Sequence, residues 1–163
     1  MNNITEKAYF AGGCFWGMEY YFQNAPGVIA TKVGYMGGHT EHPTYAQVCK
    51  GHTGHLETLE VSYDPAKTTY ENLAKLFFEI HDFTQADGQG PDLGEQYLSA
   101  VFYQTPEQKN TAEKLIEILK SKGYNVVTGI RTAGPFWEAE DYHQRYYEKN
   151  GEQPYCHFRR KIF

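Results

Sequence analysis

Strand-patterned stretches interleave along this chain with segments of helical spacing, and that interleaving restricts the fold more than any other feature of the sequence. Glu57-Thr58-Leu59-Glu60-Val61-Ser62-Tyr63 alternates apolar Leu59, Val61 and Tyr63 with polar Thr58, Glu60 and Ser62, the pattern of a strand with one buried face. Residues 28–35 alternate in the same way, with Ile29, Thr31, Val33 and Tyr35 set against Val28, Ala30 and Lys32. Ala8-Tyr9-Phe10-Ala11 suits a short buried strand, and 96–104 is largely apolar on both sides, which places it inside a sheet. A further short strand is expected over 125–131.

The helical segments carry their own punctuation. Thr105-Pro106-Glu107-Gln108 supplies an N-cap, a proline at N1 and a capping-box glutamine ahead of Ala112, Leu115, Ile116 and Leu119, with a stop at Gly123. Thr68-Thr69-Tyr70-Glu71 has the capping-box form before Leu73, Leu76, Phe77 and Ile80, predicting a helix to about His81. Another short helix is expected over 136–148. The pattern predicts an α/β (α+β) two-layer sandwich: a mixed β-sheet covered by helices, with long functional loops and an irregular C-terminal tail. The loops fall at 39–55 and 82–94, both rich in glycine and polar residues. With 163 residues the chain is read as a single domain able to bury a core without disulfide or metal support.

Composition excludes several classes of function. A net charge of −5 disfavours a nucleic-acid backbone, and no apolar stretch approaches the roughly 20 residues that span a bilayer. Met1 to Lys7 is polar where a secretory signal would be apolar. Three cysteines, an odd and scattered set, suit a reducing compartment, and the cytoplasm is expected. The 14 tyrosines and 10 phenylalanines exceed what a core needs, so a pocket with polar-tipped aromatic walls is expected.

The chemistry centres on Gly12-Gly13-Cys14-Phe15-Trp16-Gly17. Phe15, Met18, Glu19 and Phe22 follow at helical spacing, three of the four apolar, which puts Cys14 at the first turn of a helix. Free N–H groups and the positive end of the helix dipole stabilise a thiolate there, drawing its pKa below the ordinary value of about 8.5. Glu57 shares parity with Leu59, Val61 and Tyr63. If that side faces the core, desolvation raises its pKa and leaves an acid able to donate a proton near neutral pH. A strand beginning at Thr58 would instead leave Glu57 in a solvated loop. Cys14 at a helix start and Cys156 on a segment broken by Gly151 and Pro154 suit a peroxidatic and resolving pair. Cys49, His52 and His55 are too loosely spaced for a zinc site, so no metal is expected, and Cys49 reads as a packed thiol.

The chain resembles the peptide methionine sulfoxide reductases of the A type. The stretch around Cys14 matches that family's GCFWG motif. The likeness continues through Gly34-Tyr35, Gly37-Gly38, Pro43-Thr44-Tyr45, Val48-Cys49, Gly51, Thr53-Gly54-His55, Glu57, His81-Asp82, Gln89-Gly90, Asp92, Gly94, Gln96-Tyr97, Ser99 and Ala139 to Gln144. It covers nearly the whole chain. The resemblance implies a single catalytic domain over 1–163, with a mobile tail from about 150 that carries the resolving cysteine. It implies that Cys14 attacks the sulfur of methionine-S-sulfoxide, free or in peptides and proteins, while Glu57 donates a proton to the sulfoxide oxygen. Tyr45 and Tyr97 would hydrogen-bond that oxygen or the acid, Asp92 would help orient the site, and Phe15 and Trp16 would hold the S-methyl group. Cys14 would pass through a sulfenic acid to a disulfide with Cys156, reduced by thioredoxin, or by dithiothreitol in vitro, with no bound cofactor and the protein a monomer. Leu98, Asp87-Gly88 and Phe83 depart from residues common in the family, and a second C-terminal resolving cysteine present in some members is absent.

Overall fold

The computed structural model describes residues 5–151, 157 and 159–163. In chain order the elements are β1 (Glu6–Gly12), α1 (Phe15–Phe22), β2 (Val28–Met36), α2 (Tyr45–Lys50), β3 (Leu56–Tyr63), α3 (Tyr70–Ile80), β4 (Gly88–Gln89), β5 (Asp92–Leu93), β6 (Ser99–Tyr103), α4 (Pro106–Ser121), β7 (Gly129–Thr132), β8 (Trp137–Glu138) and α5 (Tyr146–Asn150). One sheet runs β7-β6-β1-β3-β2-β8, and β4 and β5 make a separate hairpin. Only the β6–β7 pair of the sheet is parallel, so the sheet is mixed and helices pack on it, as the interleaved pattern requires.

The period of two decides which side is core. Phe10, Val33, Tyr35, Leu59, Val61 and Tyr63 lie in one cluster with Phe15, Met18 and Phe22 of α1, Leu73 and Phe77 of α3, and Leu115 and Leu119 of α4. Phe10 is its hub, its ring 5.5 Å from Phe22, 5.1 Å from Phe77 and 5.8 Å from Tyr70. Each such ring contributes about 1.5–3 kcal/mol by leaving water. Residues of the opposite parity, Tyr9, Ala11, Met36, Leu56, Ala100 and Phe102, form a smaller cluster on the other face.

Helix α4 begins as its sequence dictates: Oγ1 of Thr105 accepts from the Gln108 backbone N–H at 3.2 Å, with Pro106 at the first position. Replacing Thr105 with alanine is expected to cost about 1 kcal/mol. For a chain of this size that lowers the thermal midpoint by roughly 2–4 °C, read by circular dichroism.

Several boundaries differ from expectation for local reasons. The 39–55 stretch is not wholly irregular: it holds α2, closed by a reciprocal capping box between Thr44 and Gln47. Only Val48 of that helix is buried, so no apolar period announces it. The cap of α3 is Thr69, which accepts from Asn72 N–H, one residue later than the Thr68–Glu71 box implies. The expected strand over 96–104 starts at Ser99, because Glu95–Tyr97 forms a 3-10 turn, and the strand expected over 125–131 pairs only from Gly129.

The helix expected over 136–148 is instead β8, a 3-10 turn at Asp141–His143, and α5. Arg145 breaks it with a left-handed backbone, φ 54°, whose N–H donates to Glu19 Oε1 at 2.5 Å. Ile29, expected on the buried side of β2, is 58% exposed beside the irregularity between Val28 and Ala30.

Candidate active site

Strand β1 delivers the chain to the site at Gly12. Gly13 then turns it with φ +95°, a conformation that a side chain would strain. Cys14 is the N-cap of α1, one residue ahead of the first helical turn, and its side chain makes no capping hydrogen bond. The thiol is therefore set at the positive end of the helix, as the spacing predicts, and it is 5% exposed.

Glu57, second residue of β3, points to the helix-bearing side with Leu59 and is 1% exposed, so the inward reading of the strand holds. Its Oε1 accepts from the backbone N–H of Phe15 at 3.2 Å, the first N–H of α1. Its Oε2 is buried and has no hydrogen-bond partner among the described residues. Burial pushes this carboxyl well above the ordinary glutamate range. Negative charge on Cys14 and on Asp92 pushes the same way, and only the Phe15 N–H opposes. A carboxyl that burial holds in its protonated form to higher pH than an ordinary glutamate thus lies beside a thiol at a helix N-terminus.

Two phenols complete the polar side. Tyr45 opens α2, its backbone N–H held by Glu140 Oε2 at 3.3 Å, and Tyr97 closes the 3-10 turn before β6. Burial above all suppresses ionisation of both, so both hydroxyls remain O–H groups at any physiological pH. Asp92, on β5, acts on Glu57 and Tyr97 through its charge. Cys49 is exposed, contrary to the expectation of a packed thiol, and pairs with the Tyr45 hydroxyl. It lies one turn after Tyr45 on the same face of the short helix α2, where only Val48 is buried, so the thiol borders the site and stays accessible.

The apolar wall is layered. Phe15 is fully buried, 5.7 Å from the ring of Tyr35. Trp16 is half-buried and stacks on Tyr146 at 3.8 Å and 8°. Trp16 Nε1–H donates to Nδ1 of His143 at 3.0 Å. The neutral imidazole therefore carries its proton on Nε2, and burial favours that neutral form. His143 is fully buried, 4.3 Å from the Tyr45 ring, and Nε2 has no partner among the described residues.

His143, Tyr146, Glu140 and Tyr35 receive no role from sequence reasoning. The run from Ala139 to Gln144 shares the family likeness without any signal of these roles. One signal was available: Glu19 is the lone polar member of the apolar stripe of α1. It is buried, accepting from Thr31 Oγ1 at 2.8 Å and from Arg145 N–H, and so fixes the turn that carries His143.

Cys14, Phe15, Trp16, Tyr45, Glu57, Asp92 and Tyr97 are thus brought into one cluster, while Cys156 lies outside the described residues. Among the described residues no group of three or more His, Cys, Asp and Glu is placed to hold a metal ion. His55 is engaged by the Gly38 N–H and the Thr40 carbonyl. No helix among the described residues is long and apolar enough to cross a membrane.

Comparison with known proteins adds independent findings. The family model described as peptide methionine sulfoxide reductase matches residues 6–163. Peptide methionine sulfoxide reductase MsrA of Geobacter sulfurreducens is 48% identical over 153 residues, covering 92% of this chain and 94% of that one. Methionine sulfoxide reductase A of Corynebacterium diphtheriae superimposes with a TM-score of 0.84 at 39% identity, over 93% of this chain and 77% of the other. Mxr1 from Saccharomyces cerevisiae in reduced form gives 0.88 at 34% identity, over 96% and 93%. The same protein in complex with Trx2 gives 0.64 at 25%, over 96% and 91%.

Proposed function

This chain belongs to the peptide methionine sulfoxide reductase family, in its A type, and is an enzyme that reduces methionine sulfoxide to methionine; we propose that Cys14 is the nucleophile and Glu57 the proton donor. The observation that carries this reading is the buried, unpartnered Oε2 of Glu57 on a carboxyl whose other oxygen is tied to the residue after Cys14. A sulfoxide oxygen accepting the Glu57 proton would present its sulfur to the thiolate.

In the first step the Cys14 thiolate attacks sulfur and the sulfoxide oxygen takes the Glu57 proton. The substrate S–O bond and the sulfur–sulfur bond of the adduct then break as the hydroxyl passes to the Cys14 sulfur. The substrate sulfur leaves with the electron pair as methionine, and the new S–O bond makes Cys14 a sulfenic acid, Cys14 oxidised by two electrons as the sulfoxide is reduced. Tyr45 and Tyr97 hydroxyls donate to the oxygen as negative charge develops there, and Asp92 holds the acid's surroundings. Phe15 and Trp16 form the wall for the S-methyl group, and the side on which that wall stands selects the S epimer by shape. In the second step the Cys156 thiol attacks the Cys14 sulfenic sulfur. An S–S bond forms, the S–O bond breaks, and hydroxide leaves with the thiol proton as water.

Thioredoxin is the proposed reductant of that disulfide, supported by the Mxr1–Trx2 complex of a related fold. Repair of oxidised proteins in the cytoplasm, by a single catalytic domain acting as a monomer, is the matching biology.

Mass spectrometry after one equivalent of each sulfoxide epimer tests the scheme. The S epimer should yield methionine and a Cys14–Cys156 disulfide, and unchanged thiols would refute it. In Cys156→Ser, a single turnover of methionine should survive while thioredoxin-driven cycling stops; undiminished cycling would reject the resolving role.

A further inference from the structure

The described residues nearest in the chain to the proposed resolving cysteine, His157, Arg159 and α5, make contacts that the reduction of the sulfoxide does not use. His157, covalently next to Cys156, is 3% exposed, and its Nε2 lies 2.6 Å from the carbonyl of Gly12 at the end of β1. Tyr21 of α1 donates its hydroxyl to the His157 carbonyl at 3.2 Å. The His157 ring lies against the backbone of the Cys14 turn. A Cβ added at Gly17 would collide with its Nδ1, and one added at Gly13 would come within 3.5 Å of its Nε2. The small residue at Gly17 therefore makes room for this ring.

Beyond His157 the chain is clamped a second time. Glu79, at the end of α3, is 4% exposed and accepts from Arg159 Nε at 3.3 Å and Nη2 at 3.1 Å. The same carboxylate accepts from the backbone N–H groups of Ile162 at 3.0 Å and Phe163 at 3.3 Å, and the Glu79 carbonyl accepts from Arg160 N–H at 2.9 Å. Burial alone would raise the Glu79 pKa, but these donors carry it below the ordinary range, so the carboxylate is charged at neutral pH. On the other side of Cys156, α5 is fastened to α1 through Tyr146 on Trp16 and Tyr147 on Tyr20.

We propose that His157 and the Glu79–Arg159 pair are positioning residues for the second chemical step, holding the chain beside Cys156 against the helix that Cys14 caps. The proposal rests on the reading of Cys156 as the resolving thiol. Consecutive Cα atoms are about 3.8 Å apart, so fixing His157 on the Cys14 turn confines where the Cys156 Cα can lie. Disulfide formation needs Cα atoms within about 7 Å, and a thiol confined near its target reacts at a higher effective concentration than one on an unanchored end.

The test is a rapid-quench experiment on the full chain with one equivalent of a peptide containing methionine-S-sulfoxide. Methionine release, dimedone-trapped Cys14 sulfenic acid and the Cys14–Cys156 disulfide are followed separately in wild type, His157→Ala, Arg159→Gln and Arg159→Lys. Arg159 has 60% of its side chain exposed, so its variants test the clamp without opening the core. We expect the methionine burst to keep its rate, while disulfide formation slows about tenfold in His157→Ala and several-fold in Arg159→Gln as sulfenic acid accumulates. Arg159→Lys should recover part of the loss. Thioredoxin-driven turnover should fall with disulfide formation, while dithiothreitol-driven turnover holds.

Disulfide formation at the wild-type rate in both His157→Ala and Arg159→Gln would overturn the proposal, as would loss of the methionine burst. Absence of any Cys14–Cys156 disulfide in wild type would refute the resolving role of Cys156 itself, a distinguishable failure.

Discussion

Cys14→Ser is expected to lose reduction of methionine-S-sulfoxide by about 10⁴-fold or more, measured as methionine formed with either thioredoxin or dithiothreitol. A serine hydroxyl at the helix N-terminus does not ionise near neutral pH, and a sulfenic acid has no counterpart on oxygen, so neither the attack nor the second step has a substitute. The same variant is expected to be more stable than wild type. Cys14 occupies the N-cap of α1 without a capping hydrogen bond, and serine is among the best residues at that position. A gain of about 0.5–1 kcal/mol should appear as a thermal midpoint a few degrees higher. Turnover within tenfold of wild type would dismiss Cys14 as the nucleophile.

Glu57→Gln is expected to slow sulfoxide reduction by about 10²–10⁴-fold, because the amide keeps the shape and a hydrogen-bond donor but has no proton to transfer. The pH dependence has a definite sign. The reactive form is the protonated acid, so the acid-dependent limb of kcat/KM should fall as pH rises through the raised Glu57 pKa, and that limb should vanish in Glu57→Gln.

Stability follows the same proton. The unfolded chain releases it near the ordinary glutamate value of about 4.3, whereas the folded chain keeps it to higher pH. Stability from this group is therefore fully present below that ordinary value and is lost as pH rises through the folded value, by about 1.4 kcal/mol per pH unit across the window. Denaturant midpoints measured from pH 4 upward should fall in wild type and stay flatter in Glu57→Gln. Equal slopes in the two proteins would mean that Glu57 is ionised in the folded state.

Elements whose signals are local were legible in the chain. The Thr105 cap and the apolar spacing of α3 and α4 each depend on neighbours a few residues apart and appear where expected. The strand over 57–63 also forms, but its alternation implied one buried face, whereas β3 lies inside the sheet and Thr58 and Glu60 on its other face are buried too. Helix α2 and the 136–148 region were not legible, because one buries a single residue and the other is broken at Arg145 by a carboxylate 126 residues away.

The site divides the same way. Parity within β3 placed Glu57 on the core side, but its approach to Cys14 requires β3 to lie antiparallel beside β1 so that its carboxyl meets the first N–H of α1. His143 reaches Trp16 only because Glu19 and Glu140 fold a distant segment over the helix.

What the sequence by itself determined is which faces are apolar, where helices start and which residue types the chemistry requires, since periodicity and capping are short-range. What only the tertiary structure decided is the burial that raises the Glu57 pKa, the proton on Nε2 of His143 and the anchoring of His157 and Arg159 beside the site. Desolvation and hydrogen bonding between segments far apart in the chain exist only once those segments are packed.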